Sequence, residues 1–190
     1  MLNRLTTLLS GWATRRNVLL LVALDLVMNA ALLPLANARL AVLSGGIGPL
    51  DNLFTYSPAQ AHSALAAYGP AGRAFDLASA LTLNLVNPII YSLFFCLASL
   101  YFLRRVAPTR PGLARLALIP FLALAADYLE NAGLIVLLLN YPNQLTVLAV
   151  ATSLLTSLKW ALQAISLVLL VIAAIGTLRV RFQHVTPAQS

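Results

Sequence analysis

The chain has 190 residues, of which 61% are apolar and only 9% charged, with a mean hydropathy of +0.88. Those values lie outside the range of soluble globular domains and define a membrane chain. The net charge of +7 does not point to nucleic acid, because the basic residues sit at the ends of apolar segments rather than on one face among aromatics. The single cysteine, Cys96, excludes an internal disulfide and paired-thiol redox chemistry, and reads as a small buried apolar residue.

About 20 helical residues cross the roughly 30 Å of hydrocarbon in a bilayer. Four stretches are that long: 17–43, 77–103, 113–139 and 146–178. They predict one all-α domain, a polytopic membrane protein with four transmembrane helices in an up-down-up-down bundle. A first outer loop, 44–76, carries one short extra helix at 58–68. Arg4, Arg15 and Arg16 precede the first span, Arg104, Arg105, Arg110 and Arg115 separate the second from the third, and Arg179 and Arg181 follow the fourth. Only Arg39 and Arg73 lie near the other side, so the positive-inside rule predicts a cell-membrane protein with cytoplasmic N- and C-termini. Some attraction of these arginines to anionic membrane lipid is expected. The basic start, apolar run and Ala36-Asn37-Ala38 also mimic a cleaved signal peptide, but the run is too long and Asp25 interrupts it.

In the outer loop, Ser57-Pro58 reads as an N-cap followed by proline at the first helical position, and Gly69-Pro70 as the stop. Ala59, His62, Leu65 and Ala66 are expected along one face of this helix, resting on the bilayer or capping the bundle. With no partner at metal spacing, His62 reads as a surface histidine. Asp51 reads as a turn residue, and Asp76 as a helix N-terminal acid near Arg73. Asn140-Tyr141-Pro142-Asn143 is a tight polar turn that makes the third and fourth helices antiparallel neighbours. Pro34, Pro88 and Pro120 should each free a carbonyl four residues earlier, on Ala30, Asn84 and Leu116. In lipid such groups must face protein or a wet cavity.

The third span holds the least apolar stretch within any of them, Asp127-Tyr128-Leu129-Glu130-Asn131. Asp127 falls twelve residues beyond Arg115 and Asn131 sixteen, about 18 to 24 Å along a helix and hence near mid-bilayer. Asp127, Glu130 and Asn131 share one face at i, i+3 and i+4. A charged side chain there costs roughly 2.5 to 3.5 kcal/mol on insertion scales. An interhelical hydrogen bond returns only about 0.6 kcal/mol, so acids and a lysine are poor glue. The fourth span supplies a polar stripe of Thr152, Thr156, Lys159, Gln163 and Ser166. Lys159 is the sole lysine, and it is placed to meet Asp127 or Glu130. Trp160 beside it reads as packing rather than as a cavity wall. The first span echoes the third, with Asp25 and Asn29 at the same spacing followed by alanine. Asn84, Asn87 and Tyr91 make the second span locally polar.

Three intramembrane carboxyls, Asp25, Asp127 and Glu130, therefore face one lysine. The two surplus groups need a proton, an arginine, water or a bound cation. These residues predict a polar, carboxylate-rich intramembrane cavity that binds or moves a small amphipathic or lipidic molecule, with proton coupling as an option. The candidate lining is Asp25, Asn29, Asn84, Asn87, Tyr91, Asp127, Glu130, Asn131, Thr156, Lys159 and Gln163. One alternative is an intramembrane acid–base enzyme, an isomerase or cyclase, with Asp127 or Glu130 as proton donor and acceptor. Another is a structural or accessory subunit. No metal or nucleotide motif is present, so no cofactor is expected. A transport path through only four helices would call for a homodimer. In helix number and intramembrane acids the layout resembles the emopamil-binding and sigma-2 type membrane proteins. Their histidine- and acid-containing patterns do not align here, so no residue role follows from the resemblance.

Overall fold

The protein is described by a computed structural model covering residues 2–107 and 111–183. Among the described residues every regular element is helical. That is the expected outcome for an apolar chain that must satisfy each backbone group without water. Four helical stretches are long and apolar enough to cross a membrane. They form the four-helix bundle, and the second of them, Pro58–Val106, includes the extra helix expected after the first span.

The chain begins with α1 (Leu2–Trp12), an amphipathic helix that the four-span reading did not foresee. Leu5, Leu8 and Trp12 are exposed, while Leu9 packs with Ala13 on Cys96, Leu97 and Leu100. The first span comprises α2 (Arg15–Val27), a π-helical turn (Met28–Leu32) and α3 (Leu33–Leu43). The Thr14 hydroxyl starts it by accepting from Asn17 N at 3.2 Å. Pro34 accounts for the π turn: it has no N–H to give, and the ladder widens so that Leu33 N donates to Met28 O, five residues back.

Helix α4 (Pro58–Ala80) opens with a reciprocal capping box between Ser57 and Gln60. Gly69 lies in the left-handed region (φ 61°) and divides α4 at the predicted stop. A residue with a Cβ would be strained there. The first piece caps the bundle. Of the expected face Ala59, His62, Leu65 and Ala66, only Leu65 is buried; the inward face is Ala61, Ala64, Leu65 and Tyr68, which cluster with Leu134, Leu137 and Leu138 of the third span. His62 stays at the margin, stacked on Tyr141 at 5.4 Å. A turn at Leu81-Thr82 then separates α4 from α5 (Leu83–Val106), so the helix that crosses the core starts at Leu83 and not at Leu77.

The third span is α6 (Pro111–Leu116) followed by α7 (Ile119–Asn140). Pro120 is therefore not a mid-helix kink. It sits in the first turn of α7, where no N–H is needed. After the 140–143 turn, α8 (Thr146–Gln183) returns along α7 in the most extensive helix pairing of the bundle. Gly133 permits the approach, since a Cβ there would lie 2.2 Å from Thr152 Oγ1. Helix α5 is central and packs on α2, α7 and α8. The first span leans on α5 and α4 and has no comparable packing against α7 or α8.

Candidate functional site

A cavity of about 260 Å³ occupies the half of the bundle nearer the loop that follows the first span. One wall is the first span, through Asp25, Asn29 and Asn37. The others are α4, α5, α7 and α8, and Pro49, Asp51 and Asn52 of the loop form the rim. The first span and α8 both line it and have no packing on each other comparable to that of α7 with α8.

The floor is built by α7 and α8. Asp127 is 7% exposed: its Oδ1 accepts from Asn131 Nδ2 at 2.7 Å, and its Oδ2 accepts from the Tyr91 hydroxyl at 3.1 Å. The spacing of four brings the Asn131 amide over Asp127, and the same amide donates to Asn84 O at 3.2 Å. Asn84 O is the carbonyl that Pro88 leaves without its helical donor. Next to it, Leu85 O accepts from the Tyr128 hydroxyl at 2.8 Å. The opened turn of α5 is thus satisfied by α7, which explains how a proline persists inside the bundle.

Glu130 is fully buried behind the cavity and does not line it. Its Oε2 meets Lys159 Nζ at 2.6 Å, and its Oε1 accepts from the Thr156 hydroxyl at 2.7 Å. Lys159 also donates to the backbone carbonyl of Asp51 at 3.3 Å. The lysine therefore answers Glu130 and ties the floor to the rim.

Of the residues singled out from the sequence, Asp25, Asn29, Asn84, Asn87, Tyr91, Asp127, Lys159 and Gln163 surround the cavity, whereas Glu130, Asn131 and Thr156 stand behind it. The polar stripe of α8 divides accordingly. Thr152 and Ser166 spend their hydroxyls on the carbonyls of Leu148 and Leu162, at 2.8 and 2.7 Å, within α8 itself. Only Lys159 and Gln163 of that stripe reach the cavity.

Three readings change. Asp51 is not merely a turn residue: it lines the cavity, its Oδ2 accepts from Asn84 Nδ2 at 3.0 Å, and its Oδ1 is buried without a hydrogen bond. Asp76 is not paired with Arg73. The Arg73 guanidinium donates to Leu65 O at 2.8 Å and lies 4.1 Å over the Tyr141 ring, leaving Asp76 to face the cavity. Trp160 is a wall residue, with its indole N–H on Asp51 O at 3.2 Å. Counting only acids inside long apolar runs missed Asp51 and Asp76. The usable signal was the total, since the chain has five acids and four of them line one cavity while the fifth stands directly behind it.

The fold defines an all-helical, membrane-type bundle. Compared with known proteins, the chain matches no family model, no curated sequence and no solved structure.

Proposed function

We propose that the protein is a multi-pass cell-membrane protein whose cavity binds a small amphipathic molecule. The observation that carries this reading is the cavity itself: about 260 Å³ of space walled by carboxylates and amides beside Phe75, Phe95 and Trp160. Concave sites with an apolar wall and a few convergent polar groups are the usual form of a small-molecule site. Polar side chains serving only helix packing would close on one another and leave no such space. The sparse packing of the first span on α8 suits a ligand arriving from the lipid on that side. Binding needs no second copy, because the cavity is complete within one chain; a homodimer is required only for a path across the membrane.

The acid–base enzyme reading is less well supported. Glu130, one of its two proton carriers, is fully buried and ion-paired away from the cavity, and Asp127 is held by two hydrogen bonds. Cytoplasmic termini are part of the proposal and rest on the arginines at one end of the bundle, where α1 places Leu5, Leu8 and Trp12 as an interfacial anchor.

Native mass spectrometry of protein extracted with its lipid tests the function. The expected spectrum shows one small molecule retained per chain, and Ala36→Phe, which fills the cavity from α3, should remove it. A wild-type protein that carries nothing, and takes up nothing from a lipid extract, would count against a binding cavity.

A further inference from the structure

The charge around the cavity narrows the ligand, and we infer that it is an organic cation, an ammonium-type head group joined to an apolar body. This inference rests on the binding reading above. Asp25, Asp51, Asp76 and Asp127 all line the space, and Lys159 is the only cationic side chain among the lining residues. That lysine is neutralised by Glu130 at 2.6 Å. One positive charge is thus already matched by Glu130, and among the described residues the four lining carboxyl groups have no ion-pair partner of their own.

Two of the four also lack ordinary partners. Among the described residues Asp76 has neither a hydrogen bond nor an ion pair. Asp51 Oδ1 is buried with no donor, although Asn84 serves its other oxygen. A buried polar group left unpaired is expensive, and a buried carboxylate more so. Amides at Asn29, Asn131 and Asn84 satisfy one oxygen each on Asp25, Asp127 and Asp51, at 3.1, 2.7 and 3.0 Å. No comparable device serves Asp76, whose place in the wall is that of a group awaiting a partner from the cavity.

The rest of the lining indicates an organic cation rather than a metal ion. Among the described residues no three His, Cys, Asp or Glu side chains converge as metal ligands. The carboxylates come instead from four separate elements around the space, with Tyr91, Phe75, Phe95 and Trp160 between them. Aromatic faces interleaved with acids suit an alkylated ammonium, which is attracted to both.

Purified protein in nanodiscs of digalactosyl diacylglycerol, an uncharged lipid with no ammonium group, should be titrated with decyltrimethylammonium, decanol and decanoate, with occupancy read by native mass spectrometry. The three probes share a chain and differ in head-group charge. The expected result is one decyltrimethylammonium per chain, bound about tenfold or more tightly than decanol, with no decanoate. Asp76→Asn should weaken the cation about tenfold and leave decanol unchanged. Asp76 holds no partner, so this variant should fold, which a thermal melt checks; Asp25→Asn is the second variant. Decanol or decanoate bound as tightly as the ammonium would overturn the cationic inference while keeping the binding cavity. Unchanged ammonium binding in both variants would overturn it equally. Failure of all three probes would overturn the inference together with the binding reading beneath it.

Discussion

Asp25 to Ala30 and Asp127 to Ala132 start from the same local instruction and end in different places. In each, asparagine four residues after aspartate turns its amide back onto the carboxylate, at 3.1 Å in α2 and 2.7 Å in α7. Each asparagine also reaches α5: Asn29 touches Asn87 at 3.5 Å and Asn131 bonds Asn84 O at 3.2 Å. The position before the asparagine is buried in both, yet it is Met28 in the first span and Glu130 in the third. Helical spacing determines the bond within each segment, and the neighbouring helices determine what that bond is for. Helix α7 is enclosed by α5 and α8, so its acids become fixed structure. The first span touches mainly α5 and α4, so Asp25 stays half-buried at the cavity with Asn29 as its one partner.

The sharpest way to break the comparison is Lys159→Met. It strands Glu130 in the core, and losing one partner of a buried pair costs about 3 to 5 kcal/mol. Chemical unfolding in bicelles should register a loss of that size, and a variant as stable as wild type would show that the pair does not anchor α7 to α8. Making α7 resemble α2 with Glu130→Met in the same chain should restore most of the loss, since apolar residues often replace a buried pair at little cost. Asp127→Ala comes next. It leaves the Tyr91 hydroxyl and an Asn131 N–H unpaired, with an expected loss of about 1 to 3 kcal/mol by the same measurement. Asp25→Ala should be the mildest, within about 0.5 kcal/mol of wild type, because the site is half open and one contact is lost. Equal losses at Asp25 and Asp127 would erase the distinction drawn between the two segments.

Most of the architecture was legible because it depends on one-dimensional quantities. Apolar length marks a span, arginine marks its end, and Ser57-Pro58 and Gly69-Pro70 mark where α4 begins and divides. That Lys159 meets an acid of α7 was legible too, since a tight turn makes α7 and α8 neighbours, but spacing left Asp127 and Glu130 as equal partners and the packing selects Glu130. Other features depend on how the loop folds, which spacing does not encode. Asp51 and Asp76 are far apart in the chain from Asp127, and they join it only because residues 49–52 come back over the bundle and α4 descends beside them. Helix α1 escaped notice because eleven residues are too few for a span, and its role lies in which side chains it exposes.

The carbonyl of Asp51 receives both Lys159 Nζ and Trp160 Nε1. Further along the same loop, the Ser157 hydroxyl donates to Phe54 O at 2.7 Å and Tyr56 N donates to Ser153 Oγ at 2.8 Å. The loop is stitched along more than one turn of α8, so the rim and the floor of the cavity behave as a single rigid piece. The first span joins this piece by packing, with Leu40 in one buried cluster with Leu50 and Tyr56 of the loop. Opposite that piece the wall is the first span, and the π turn at Met28–Leu32 carries Asn29, so the backbone ladder is widened where this wall faces the chamber.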